Sequence, residues 1–382
     1  VKSRIAKVNG NRMIEIDGKP YIPAAFRSFR PTPSNVALFH RTGVRLYQMQ
    51  CSGRNSMLGL PYSNYGAAWE GNHRYDFSSY DRQMKMFQRF APEGYFMVMV
   101  QLDMPEWWIK DHPGSKDSYY RIGEAVFNRQ WIDDATDYLK AFIEYSEKTY
   151  GDRVFAYSCS AGLATEWFDE TGFHEASPAK LDAYRAYLGD KKAVSPTPEQ
   201  VYDVSGSAFR EPSDNVTQYY KFCASLTPGL ICHFAEAAQA VLQHRKIFGV
   251  FFGYSDCPNG GWQNRTATNG YERVWRDKNI DMLFSPAGYD ECRKLNGASS
   301  YQYLVDSVAL NDKLYLHEID HRTYLADYPL DNFSIMPGCY ATEYETIMVL
   351  DVNCAPPRQK AVRCGGSTLW AIITLLRSWK RK

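Results

Sequence analysis

The sequence has almost no net charge. Lys and Arg number 44 against 43 Asp and Glu, a formal +1 over 382 residues. Nothing electrostatic therefore draws it to nucleic acid or to an anionic membrane, and neither is expected as a partner. It also has no apolar run long enough to span a bilayer. Its nine cysteines form no C-x-x-C pair, which excludes a zinc ribbon or thioredoxin-type site. An odd count without framework spacing reads as free, buried thiols and leans towards a reducing compartment. No leader pattern opens the chain, but it begins at Val1 rather than Met, which leaves localisation open. Internal repeats and low-complexity segments are absent. So is a Gly-rich phosphate loop after an early strand.

What the chain does have is aromatic weight: 15% of residues, including 28 Tyr and 9 Trp. A large core explains this, because aromatic side chains bury the most area. A sugar site is the alternative, since pyranose rings stack their C–H faces on aromatic planes.

Short apolar runs alternate with amphipathic helices, the pattern of parallel βαβ units. After the turn Asp17-Gly18-Lys19-Pro20, strands are expected at Tyr21 to Phe26, Val44 to Met49, Tyr95 to Leu102 and Val154 to Cys159. Three more follow at Ile247 to Phe252, Ile280 to Phe284 and Lys313 to His317. Helices are expected from Pro33 to about Gly43 and across the stripes Phe77, Tyr80, Met84, Phe87 and Trp131, Ala135, Tyr138, Leu139, Phe142. A further helix is expected from Pro228 to about Lys246. Residues 1–20 read as a lead-in, 21–350 as one catalytic barrel, and 171–228 as an insertion within it. Seven strand–helix units fit a closed barrel or an open doubly wound sheet. Without a phosphate loop, the expectation is an α/β fold, a (β/α)8 TIM barrel.

Catalytic groups of such barrels sit where strands give way to loops. Those positions are Arg27, Gln50, Asp103 with Glu106, Glu166, Tyr254 with Asp256, Tyr289, and Glu318 with Asp320. Glu166 and Glu318 are expected to terminate strands. Glycoside cleavage needs two carboxyl groups, one protonated and one ionised. Trp167 and Phe168 would desolvate Glu166, whereas Arg322 and two histidines would help keep Glu318 ionised. A structural ion pair is the competing reading of either glutamate.

A glutamate ending the fourth strand and another ending the seventh resembles the clan A glycoside hydrolases. The stretches Thr165-Glu166-Trp167-Phe168 and Glu318-Ile319-Asp320-His321-Arg322-Thr323 resemble the family 42 β-galactosidases and related bacterial hydrolases, over roughly residues 10 to 350. The resemblance implies a retaining enzyme on β-linked neutral sugars, with Glu166 as acid/base and Glu318 as nucleophile. It implies an oligo- or polysaccharide substrate, no cofactor and no metal. Thr165 stands where the clan usually has Asn to bind the sugar 2-hydroxyl, and Tyr289 matches its nucleophile-bonding tyrosine. A catalytically inactive glycan-binding barrel is the alternative, and an oligomer is compatible with the sequence.

Trp107 and Trp108, after Asp103-Met104-Pro105-Glu106, fit a sugar platform or a rigid rim loop equally. Arg27, Asp103, Thr165, Trp167, Tyr254, Tyr289 and Asp320 complete the expected substrate-binding set. His317 and His321 stand four apart but on a segment leaving a strand, so zinc is not expected.

The tail is anomalous. Val352-Asn353-Cys354-Ala355-Pro356-Pro357 would break the helix begun at Glu343 to Leu350. One back-translation of Cys364 to Thr374, read from its third base, gives Trp-Trp-Phe-Asp-Leu-Val-Gly-His-Tyr-Tyr, resembling the eighth-strand segment of these hydrolases. Residues 351–382 are therefore expected to be a frame-shifted tail, leaving the eighth strand missing or non-native.

Overall fold

Two left-handed dipeptides shape the start of the chain. Asn9-Gly10 (φ 50° and 81°) and Asp17-Gly18 (φ 48° and 81°) supply the positive φ pairs that tight two-residue hairpins demand. They join β1 (Ser3–Val8), β2 (Asn11–Ile16) and β3 (Lys19–Tyr21) into an antiparallel sheet. Tyr21 thus belongs to this sheet, and the first barrel strand, β4, is only Ala25–Arg27. The computed structural model describes residues 1–55, 61–169, 175–202, 210–253, 270–288, 293–297, 301–321, 323–324, 340–351 and 370–374, with backbone alone at 202 and 370–374.

The barrel continues through β5 (Leu46–Cys51). A small hairpin of β6 (Trp69–Gly71) and β7 (Arg74–Tyr75) lies in the loop that follows. Next come β8 (Tyr95–Gln101), β9 (Val154–Ser160), β10 (Ile247–Phe251), β11 (Met282–Pro286) and β12 (Leu314–Ile319). The last strand is β13 (Trp370–Thr374). All eight pair in parallel, and β13 joins β12 to β4 and closes the ring.

Strand alternation divides two cores. Leu46, Met97, Met99, Ala156, Phe251, Met282, Phe284, Leu314 and Leu316 fill the interior with Ile14 and Ile16 of β2. Tyr47, Met49, Val98, Val100, Tyr157, Cys159 and Leu283 point outward to the helices. The N-terminal sheet sits at the barrel's lower end, where Ser3 N donates to Arg245 O (2.9 Å) and Ile247 N donates to Ser3 Oγ (3.0 Å). That leaves the opposite end, at the strand C-termini, for chemistry.

The helices follow their expected stripes. Helix Arg129–Tyr150 is capped by Asn128, which accepts from Trp131 N (3.1 Å), and buries Trp131, Ala135, Tyr138, Leu139 and Phe142. Two expectations need correction. Pro228 does not start a helix: Asp214 caps it, accepting from Val216 N (2.8 Å), and Asn215–Leu242 runs straight through the proline. Burial of its Val216, Tyr219, Phe222, Leu230, Ile231 and Phe234 outweighs the one backbone bond that Pro228 removes. The helix therefore takes in the end of the 171–228 insertion.

The second correction concerns a missing eighth strand: its place is filled by β13, from within the tail. Ala-Ile-Ile-Thr within β13 is rich in β-branched residues, and its pairing satisfies edges of β4 and β12 that would otherwise lie open. The flanking segments 352–369 and 375–382 lie outside the described residues, so the frame-shift reading of the tail stands as a proposal about the gene. Among the described residues, no helix is long and apolar enough to cross a membrane, and Cys51, Cys159, Cys223 and Cys232 are free thiols.

Candidate active site

Glu318 is the second-last residue of β12 and shares its inner face with Leu314 and Leu316. It is only 4% exposed. Arg27, the last residue of β4, reaches it past β13. Its Nη1 donates to Glu318 Oε1 at 2.6 Å, and the guanidinium is itself 3% exposed. The guanidinium also lies over the rings of Phe29 (5.0 Å) and Phe251 (5.4 Å). A buried carboxylate is costly without a partner, and this cation offsets that cost. The groups expected to keep Glu318 ionised are Arg322 and two histidines. Arg322 lies outside the described residues. His317 points to the outer face, edge-on to Tyr301 at 5.0 Å, and burial, then Arg293, pushes its pKa down to about 4. It is neutral and does not help hold the charge on Glu318.

Glu166 does not terminate its strand. Ser160 ends β9, and Glu166 follows six residues later in a tight turn. Gly162, Ala164, Thr165 and Trp167 all have positive φ (76°, 62°, 63° and 65°). The turn closes through Glu166 N to Leu163 O (3.3 Å), Trp167 N to Ala161 O (2.8 Å) and Leu163 N to Phe168 O (2.9 Å). A Cβ on Gly162 would stand 2.8 Å from Phe168 O, so the position admits only glycine. Three non-glycine residues in the left-handed region store strain, of the kind that gathers at functional sites.

Two groups brace this turn from outside. Asp103, just past β8, is buried, and its Oδ1 accepts from Gly162 N (2.9 Å) and Ser118 Oγ (3.1 Å). Its Oδ2 accepts from Gln101 Nε2 (2.7 Å). Burial pushes its pKa up to about 6, against the opposing pull of Arg54 and these hydrogen bonds. The Tyr119 phenol takes the N–H of Ala164 and pairs with Tyr62 at 3.0 Å. Glu166 acts electrostatically on Tyr62, and Tyr62 meets Phe29 edge-on at 5.2 Å. Arg27 and Tyr62 thus share contact with Phe29, and Glu166 lies within electrostatic range of Tyr62. Sequence reasoning missed Tyr62 and Tyr119, which lie in loops without periodicity.

The aromatic expectations divide. Trp108 is fully buried in the outer core, where Nε1 donates to Asp134 (2.8 Å) and the ring stacks on His112 (3.9 Å). Trp167 is likewise fully buried in that core. Neither can stack on substrate, because the turn and the rim loop direct both indoles to the helix side. Glu166 in turn is half-buried, not enclosed by Trp167. Thr165 is buried within the turn, and its hydroxyl has no partner among the described residues. Trp107 alone of the three tryptophans borders open space. It lines a cavity of about 400 Å³ with Trp69, Glu106, Asp103, Arg54 and Gln101. Asp320 is bound to Arg293, which also donates to Gly288 O (2.9 Å) and Ala287 O (3.1 Å), so it ties two rim loops together. Tyr254 and Tyr289 lie outside the described residues. Among the described residues no group of three His, Cys, Asp or Glu could hold a metal.

No family model and no curated protein matches the sequence. Solved structures do resemble the fold. The catalytic domain of β-amylase from Paenibacillus polymyxa superposes with a TM-score of 0.55 at 9% identity, over 91% of this chain and 92% of that one. An endo-1,4-β-mannanase from Rhizomucor miehei gives 0.54 at 12% identity, over 97% and 90%. A β-galactosidase from Marinomonas ef1 gives 0.50 at 8% identity, over 91% of this chain and 53% of that one. These proteins act on different glycans, and the likeness does not single out family 42. At such identities it establishes architecture alone: this chain has the (β/α)8 barrel found in glycoside hydrolases.

Proposed function

We propose that the protein is a retaining glycoside hydrolase of the family 42 type, acting on β-linked neutral sugars in an oligo- or polysaccharide. The observation that carries this reading is the buried, inward-facing Glu318 held at 2.6 Å by Arg27 at the C-terminal mouth of the barrel. A carboxylate fixed with its charge stabilised is what a nucleophile requires. In the first step Glu318 attacks the anomeric carbon while Glu166 gives its proton to the leaving oxygen. In the second, Glu166 takes a proton from water, which displaces Glu318 and regenerates both groups. Trp107 lines a cavity with Asp103 and Glu106 that, among the described residues, neither Glu166 nor Glu318 borders.

One observation favours a glycan-binding barrel without turnover. Glu166 is only partly buried, whereas an acid that stays protonated near neutrality is usually desolvated. A panel of p-nitrophenyl β-D-galactoside, glucoside and mannoside separates the readings. Turnover with a first product of retained configuration, seen by proton NMR, supports the enzyme. Binding of the same sugars without release of nitrophenol supports the binding module, and an inverted first product rejects the double displacement.

A further inference from the structure

The barrel interior beside Glu318 holds polar groups that the fold leaves unsatisfied. Arg27 Nη2, Gln48 Oε1, both amide atoms of Gln50, Ser158 Oγ and Ser160 Oγ are buried and have no hydrogen-bond partner among the described residues. All five side chains face inward. Tyr47, Met49 and Cys51 of β5 and Tyr157 and Cys159 of β9 occupy the outer core, so the alternate residues 48, 50, 158 and 160 point into the barrel. Arg27 pairs with Gln48 across β4 and β5, and Gln50 stands one inward position nearer the mouth. On the other side, Gln50 pairs with Met99 and Ser160 with Gln101, so β8 lies between them.

Of these five, Gln50 leaves the most polar atoms unsatisfied. It is 3% accessible, yet its amide oxygen and nitrogen are both unpaired. An orphaned buried polar atom is costly, and natural proteins retain one where water or a ligand completes it. The groups on hand are the Gln50 amide, the Gln48 amide oxygen, two hydroxyls and one spare guanidinium N–H. Together they both donate and accept, and the one cation among them is already paired with Glu318. That chemistry suits the hydroxyls of a neutral sugar ring.

We propose that Gln50 is a specificity-determining residue whose amide hydrogen-bonds the hydroxyls of the sugar ring lodged against Glu318, with Ser160 flanking it. The proposal rests on the glycosidase reading and adds to it the residue that chooses among sugars.

The test uses Gln50→Met, which conserves volume, with Ser160→Ala as a second variant. Substrates are whichever p-nitrophenyl β-D-galactoside, glucoside or mannoside the wild type cleaves best, and its monodeoxy analogues. Gln50→Met should lower kcat/KM about 10- to 100-fold on the parent sugar. On the analogue lacking the contacted hydroxyl, the loss should shrink to about threefold or less. Tm should stay level or rise, because an unpaired buried amide has been removed. An unchanged kcat/KM overturns the proposal, and water then satisfies Gln50. Equal losses on every analogue with a lowered Tm overturn it too, as the signature of a packing role. If the wild type cleaves none of the three glycosides, the glycosidase reading fails first and the proposal falls with it. An active wild type beside an indifferent Gln50→Met sinks the proposal alone.

Discussion

Arg27 and Glu318 are 291 positions apart in sequence and meet at 2.6 Å, both almost wholly shielded from water. Removing one member of such a pair strands the other. Arg27→Met should destabilise the protein by about 3–5 kcal/mol and reduce kcat at least ~10²-fold. Adding Glu318→Gln to Arg27→Met should recover part of the stability and none of the activity. Urea unfolding of the four proteins measures this, and purely additive losses would show that the pair is not coupled.

Glu166→Gln and Glu318→Gln should each cut hydrolysis by ~10²-fold or more while leaving the circular dichroism spectrum intact. In a crystal structure with a bound inhibitor the two carboxyl groups should stand ~5–5.5 Å apart, as retention requires, rather than ~6.5–9.5 Å. Near-normal turnover in either variant removes that residue from the mechanism.

Asp103 makes a pH prediction with a definite sign. Its folded pKa of about 6 lies above the ordinary carboxyl value, because burial penalises the charge. Between pH ~4 and ~6 the folded state therefore holds more protons than the unfolded state, and stability falls as pH rises. The penalty is absent below about pH 4 and complete above about 6, on the order of 2–3 kcal/mol. Asp103→Asn cannot ionise and should flatten this part of the stability profile. Parallel profiles for wild type and variant would refute the assignment.

The tryptophans should separate by location. Trp108→Ala should cost about 3–5 kcal/mol by opening a core cavity, with KM little changed in the protein that remains folded. Trp107→Ala should chiefly raise KM if its indole binds substrate uniformly. A KM effect at Trp108 would show that the rim loop moves.

The tail proposal is settled at the gene. We expect a base slip upstream of Cys364, since either frame supplies an apolar, β-prone stretch able to occupy the eighth strand. An unbroken frame through residues 351–382 on resequencing refutes it.

Much of the architecture is legible in the chain because periodicity is a local property. Seven of the eight strands and the stripe Trp131 to Phe142 can be read from neighbours a few residues apart. Glu318 is legible for the same reason, as the end of an apolar run. Local sequence also shows that Asp17-Gly18 is a turn, because few residues accept its φ.

What only the tertiary structure decided are the choices made by distant partners. Pro228 sits inside a helix because the burial around it outweighs one lost hydrogen bond. Trp108 and Trp167 face the helices because a rim loop and a left-handed turn aim them there, and no spacing rule encodes that direction. Arg27 meets Glu318, while His317 turns to the outer face, because ring closure brings the first and seventh barrel strands within reach across the eighth. Local patterns dictated which segments became strands and helices. Closure of the barrel decided which charges met inside it, because an ion pair spanning 291 residues depends on the ring being complete.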